Sequence, residues 1–193
     1  MEKSLVIEQS SLTMRRVVAV FLGAVLVEAA AQVSVPLPGT PVPMTLQPMA
    51  VLLVGGLLGA PLGAWSMLLY LAMGATGLPV FTPTVPLVGV ARLLGPTGGY
   101  LLAYPIAAYA VGRFSDPGLA PGVRAPWLRV TIGVVIGLAL IHLGGLAQLA
   151  VLTGNVSAAA RFGTLPFMLG DLLKIAVLVP VLTKLAPTIR ARL

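Results

Sequence analysis

The sequence predicts an all-α integral membrane protein, a compact bundle of six transmembrane helices with proline- and glycine-rich external loops. Three observations predict it. Hydrophobic residues make up 58% of the chain and charged residues only 9%, against about 25% charged in soluble domains, and the mean hydropathy is +1.04. Apolar runs recur along the whole chain, and with their flanking Gly and Pro residues they approach the ~20 residues a span needs. The basic residues fall between these runs in an order that suits one orientation in a bilayer.

The first run covers 17–35 and follows Arg15 and Arg16. It reads either as a retained first span or as the apolar core of a signal peptide with Ala29-Ala30-Ala31 as the small-residue site; the spans that follow favour retention. Residues 1–13 form a polar cytosolic lead. The next runs are 46–58, 62–73, 100–111, 130–152 and 165–185. A Pro/Gly-rich cytosolic linker, 115–126, joins the fourth helix to the fifth without separating domains, so residues 1–193 form a single transmembrane unit. With six spans, Lys3, Arg15, Arg16, Arg113, Arg124, Arg129, Lys184, Arg190 and Arg192 share a side, and only Arg92 and Arg161 lie opposite. The positive-inside rule then puts both termini in the cytosol, in a multi-pass protein of the plasma membrane.

Composition also excludes functions. There is no cysteine and one histidine, so disulfides, thiolate sites and Cys nucleophiles are out, and no His/Asp/Glu grouping has metal spacing. An enzyme is not expected, nor a metal or any cofactor. No Gly-x-x-x-x-Gly-Lys-Ser/Thr loop is present, so the chain is not expected to hydrolyse ATP itself. The net charge of +7 orients the chain rather than binding nucleic acid.

Asp171 and Lys174 lie inside an apolar run. Ionised groups at bilayer depth cost roughly 2.5–3.5 kcal/mol each and mark functional sites by default. At i and i+3 on a helix they share a face. The pair is either a solute-binding acceptor and donor or a self-neutralising ion pair. Residues 36–43 hold four prolines, cannot form regular helix, and serve either as a lid over a solute site or as a stiff connector. Glycines at 95, 98 and 99 allow close backbone approach to a ligand at a helix N-terminus, or simply make turns.

Taken together, Pro41-Val-Pro-Met-Thr-Leu-Gln47, Gly77-Leu-Pro-Val-Phe81, Gly95-Pro-Thr-Gly-Gly-Tyr100 and Asp171-Leu-Leu-Lys174 resemble, in order and spacing, the biotin-specific S components (BioY family) of energy-coupling-factor transporters. The resemblance runs from about residue 30 to 178. It implies a six-helix membrane protein that captures biotin from outside and works with a transmembrane T component and two cytosolic ATPases. It places Asp171 and Lys174 in the pocket, where Asp171 accepts from the ureido N–H groups and Lys174 donates to the ureido carbonyl or to the carboxylate. The residues after Phe81, Thr82-Pro-Thr-Val-Pro, depart from the family pattern.

Around that pair the candidates are Arg92, for the carboxylate or as an interfacial arginine; Tyr70, Phe81 and Tyr100, for the apolar ring and tail or for helix packing; and Gln47, for the ureido group. Ala19 and Gly23 stand four apart on the first span, a spacing for close helix approach, used either for docking the T component or inside the bundle. Glu28 and Gln32 share a face of the same span. A lone intramembrane histidine, His142, more often bonds another helix than carries protons. An alternative function is a stand-alone, proton-coupled vitamin transporter acting as a homo-oligomer, with Asp171, Glu28 and His142 as a proton path.

Overall fold

The computed structural model describes the backbone of residues 2–116 and 125–193, and side chains from residue 11 onward within them. The elements in chain order are α1 (Glu2–Gln32), β1 (Ser34–Val35), β2 (Met44–Thr45), α2 (Gln47–Leu58), α3 (Ala60–Ala75), α4 (Val90–Leu94), α5 (Gly98–Phe114), α6 (Trp127–Thr153), α7 (Val156–Gly163), a 3₁₀ turn (Leu165–Phe167) and α8 (Met168–Arg190).

Local chemistry sets most boundaries. Pro48, Pro61 and Pro166 each sit in the first two positions of their helical element, where a missing N–H costs nothing. The α6 helix ends at Gly154, in the left-handed conformation at φ 66°. Asn155 then caps α7 by accepting from the Ala158 amide at 3.0 Å, the usual service of an Asx side chain at a helix start. Helix α1 runs without a break from Glu2, so the expected polar lead, 1–13, is helical from Glu2 onward and continuous with the span. It stops at Gln32 rather than 35, because Ser34 and Val35 pair with Thr45 and Met44 in a short antiparallel ribbon. The expected linker, 115–126, lies mostly outside the described residues, as does Arg124; the flanking helices end at Phe114 and begin at Trp127.

Helix α2 is the axis. It contacts α1, α3, α5, α6 and α8, although its 12 residues make it only about 18 Å long. Its glycines permit this. A Cβ on Gly55 would run into the backbone of Ala108 on α5, one on Gly56 into Leu182 on α8, and one on Gly63 of α3 would lie 2.7 Å from Gly55 Cα. The core gathers along the axis, with Val51, Leu52, Met67, Ala107, Val111 and Leu178 fully buried.

The outside is apolar too. Phe21, Trp65, Ile106, Leu143, Val151 and Leu169 are all exposed, far more apolar surface than a soluble monomer tolerates. Two stretches, Trp127–Thr153 and Val156–Arg190, are long and apolar enough to cross a membrane, while α2 and α3 are shorter apolar helices. Gly23 is buried against Ser66 and Val54, so Gly23 serves packing of α1 inside the bundle, while Ala19 is only half-buried.

One end of the bundle is stitched by arginines. Arg190 donates to Gly56 O at 2.5 Å and to Gly112 O at 3.1 Å, and Arg16 donates to Leu193 O at 2.9 Å. The Gly56 and Gly112 carbonyls lie near the ends of α2 and α5, where intrahelical donors run out. Gly55→Ala should destabilise the protein by about 1–3 kcal/mol, the usual cost of overpacking, while Gly170→Ala, in helix α8 and with only Met44 at 3.7 Å from the new Cβ, leaves packing undisturbed. Thermal unfolding of both variants in detergent checks the contrast.

Candidate functional site

The starts of α2, α5 and α8, the middle of α6, and the segment 42–48 line a cavity that is open at its mouth. Its wall on α8 carries Asp171 and Lys174. Asp171 stands in the first turn of α8, where the helix dipole favours a negative charge. Lys174 Nζ donates to Asp171 Oδ1 at 2.8 Å. His142 Nε2, from α6, lies 2.6 Å from Asp171 Oδ2. The side chains of Asp171, Lys174 and His142 are 8%, 11% and 16% exposed, so the carboxylate is held from two helices in a nearly dry place.

Arg92 on α4 also lines the cavity. It is 1% exposed, donates to Val85 O at 2.6 Å and to Thr82 O at 3.0 Å, and lies 6.0 Å from the centroid of the Phe81 ring. Burial lowers its pKa from the ordinary arginine value, and two carbonyls and a ring face compensate the charge. Its Nε and the Thr97 hydroxyl are buried without a hydrogen-bond partner among the described residues, an uncommon condition for such groups. Thr97 stands at the start of α5, a helix end that favours anions.

The remaining wall is apolar, from Val42, Pro43, Leu101, Leu138, Ile141 and Phe167, with Tyr100 and Tyr104 among them. Tyr100 donates to Gly163 O at 2.5 Å, which ties α5 to α7. The proline-rich segment closes one side: Val42 and Pro43 line the cavity, and Thr40 Oγ1 donates to Phe162 O at 2.7 Å.

Of the residues singled out from sequence, Asp171, Lys174, Arg92, Gln47 and Tyr100 share this cavity, whereas Tyr70 and Phe81 do not line it. Tyr70 is fully buried behind the wall. It accepts from Gln47 Nε2 at 2.6 Å and donates to Val80 O at 3.1 Å. Phe81 packs edge-on against Tyr70 at 5.4 Å and over Gly74, where a Cβ would strike its ring. Both hold the 77–85 loop in place. Gln47 lines the cavity with its amide already engaged, since Oε1 accepts from Thr45 Oγ1 at 3.3 Å. The paired glycines after Thr97 serve helix packing: a Cβ on Gly99 would meet Gly144 O of α6.

Sequence reasoning gave no binding role to His142, Thr97, Tyr104 or Phe167. His142 stands 29 positions before Asp171 on another helix, a separation that carries no local signal. Thr97 lay inside a motif where only the glycines and Tyr100 drew attention. Among the described residues no cluster of three His, Cys, Asp or Glu side chains suits a metal ion.

The cavity presents an acceptor–donor pair on one wall, a guanidinium and a hydroxyl on another, and apolar surface between them. The apolar exterior and this ion-paired interior define the class: a helical membrane protein with a polar-lined cavity between its helices. The chain belongs to the BioY family, whose model matches residues 3–191. It is 38% identical over 160 residues to a probable biotin transporter BioY of Pyrococcus horikoshii, covering 83% of this chain and 89% of that one. It is 31% identical over 164 residues to the biotin transporter BioY of Thermotoga maritima, covering 85% and 91%. Its fold is similar to the crystal structure of the S-component for biotin from an ECF-type ABC transporter, with a TM-score of 0.78 and 26% identity over 90% of this chain and 91% of that one.

Tyr70→Phe removes the hydroxyl that Gln47 and Val80 share. Leaving these buried groups unmatched should cost about 1–3 kcal/mol of stability. A lowered unfolding temperature in detergent checks it, and an unchanged one shows that the Tyr70 bonds carry no weight.

Proposed function

We propose that this chain is the biotin-binding S component of an energy-coupling-factor transporter in the plasma membrane. The observation that carries the reading is a single cavity that holds Asp171 and Lys174 on one wall and Arg92 with Thr97 on another. Biotin has matching ends. Its ureido ring offers two N–H donors and one carbonyl, which suit Asp171 and Lys174 respectively. Its carboxylate suits the Arg92 guanidinium and the unpartnered Thr97 hydroxyl. The thiophane ring and valeryl chain lie against Leu138, Ile141, Phe167 and Tyr100.

In this reading α1, α2, α3, α5, α6 and α8 are the six spans. The arginine-stitched end faces the cytosol with both termini, and the cavity opens outward. The proline-rich segment, tethered through Thr40 to Phe162, is the lid over bound biotin. Inward delivery needs a T component and two ATPases, since binding alone concentrates nothing. The outward face of α1, with Ala19 at its half-buried margin, is left for the T component. Residues 1–193 act as one solute-binding unit.

Calorimetric titration of the purified protein, freed of biotin, should give saturable biotin binding and none with thiamine or riboflavin. Asp171→Asn and Lys174→Ala should each weaken biotin by about 1–3 kcal/mol, the scale for an unmatched buried polar group. Unchanged affinity in both variants removes the assigned site. Biotin amide, which lacks the negative charge, should bind more weakly than biotin by roughly tenfold, the lower range for a lost charged hydrogen bond; equal affinity takes Arg92 and Thr97 out of the site. Uptake into liposomes by this chain alone, driven by a proton gradient, would replace the S-component reading with that of a stand-alone transporter.

A further inference from the structure

His142 is the single histidine of the chain, and the recognition scheme above does not use it. Its Nε2 lies 2.6 Å from Asp171 Oδ2, while Lys174 holds Oδ1 at 2.8 Å. An ionised carboxylate only accepts hydrogen bonds, so the ring nitrogen facing it carries the proton and donates. The other nitrogen, Nδ1, is buried with no hydrogen-bond partner among the described residues. A proton there would be a buried donor with nothing to meet. The contact therefore selects the neutral ring with hydrogen on Nε2 and a bare Nδ1. The ring is also held in place, edge-on to Tyr100 at 6.3 Å and tilted against Phe167 at 6.2 Å.

Lys174 comes from the same helix as Asp171 and engages one oxygen only. By itself it leaves the carboxylate free to turn about its last side-chain torsion, which has broad minima. His142 comes from α6 and takes the second oxygen. We propose that His142 is a positioning residue for ligand: it locks the Asp171 carboxylate so that the acceptor capacity left on both oxygens serves the cavity. This rests on the reading that Asp171 accepts the ureido N–H groups. The aromatic packing makes the lock stiff, and preorganised acceptors bind more tightly because no rotamer is lost on binding.

The test combines two measurements on the full chain in detergent. In biotin titrations, His142→Leu should weaken binding about tenfold or more. His142→Gln, whose amide can replace the Nε2 donor, should stay within about threefold of the parent protein. In the Asp171→Asn background, His142→Leu should add almost nothing, because the two residues act as one unit. The second measurement is ¹⁵N NMR of protein labelled in histidine, without biotin. The single ring should show Nε2 protonated and Nδ1 bare, with the Nε2 signal displaced by Asp171→Asn. The proposal is overturned if His142→Leu binds normally, if the Gln and Leu variants are equally weak, or if the losses simply add with Asp171→Asn. A ring protonated on Nδ1, or one blind to Asp171→Asn, overturns it as well. Absence of biotin binding by the parent protein refutes the biotin reading and the ligand role with it, whereas the NMR result judges the His142–Asp171 contact separately.

Discussion

The close approach of α2 to its neighbours is the constraint from which the rest follows. At Gly55 the backbone of α2 lies against the backbone of α5 at Ala108, and α3 approaches the same point through Gly63. Between helices in a membrane there is no hydrophobic gain to drive association, so packing at small residues has to supply it. With α2 so enclosed, its 12 residues need not face lipid along their length. The helices around it converge, and their starts at Gln47, Gly98 and Met168 come together at one end. That convergence makes the cavity.

Charge in the cavity is compensated locally. Asp171 balances Lys174, and His142 Nε2 meets the second carboxylate oxygen. Among the described residues no carboxylate pairs with Arg92, which relies on the carbonyls of Val85 and Thr82 and the Phe81 ring. Arg92 thus does two things at once. It shapes the 82–85 loop, and it brings a cation to the cavity wall with one nitrogen unmatched. Buried unmatched groups lower stability; those at Arg92, Thr97 and His142 lie on this one cavity, and others, at Ser115, Thr164 and Arg190, lie away from it. Functional sites are where local rules of stability are most often broken.

The apolar runs were legible as helices because periodicity is not needed when a segment is hydrophobic all round. Their ends were less so. Nothing in 1–13 breaks a helix, yet polarity suggested a separate lead. The α7 helix was missed because its eight residues look like loop, although Asn155 announces a cap. Asp171 and Lys174 were found by cost, as charges in an apolar run. Tyr70 and Phe81 could be read either as ligand wall or as packing, because aromatic residues suit both. The hydrogen bond from Tyr70 to Val80, and the packing of Phe81 over Gly74 and against Tyr70, decide for packing.

By itself the sequence determined the class of molecule, the approximate place of its helices and the one ion pair set in apolar surroundings. These follow from composition and from separations of one helical turn, which neighbouring residues carry. The tertiary structure alone decided that His142 meets Asp171, that Thr97 and Arg92 share a cavity with them, and that Gly23 packs inward. Those facts depend on which helices touch and how each is rotated about its axis. A uniformly apolar helix carries little amphipathic signal of its rotation, so that choice is made by glycine contacts and side-chain fit between segments far apart in the chain.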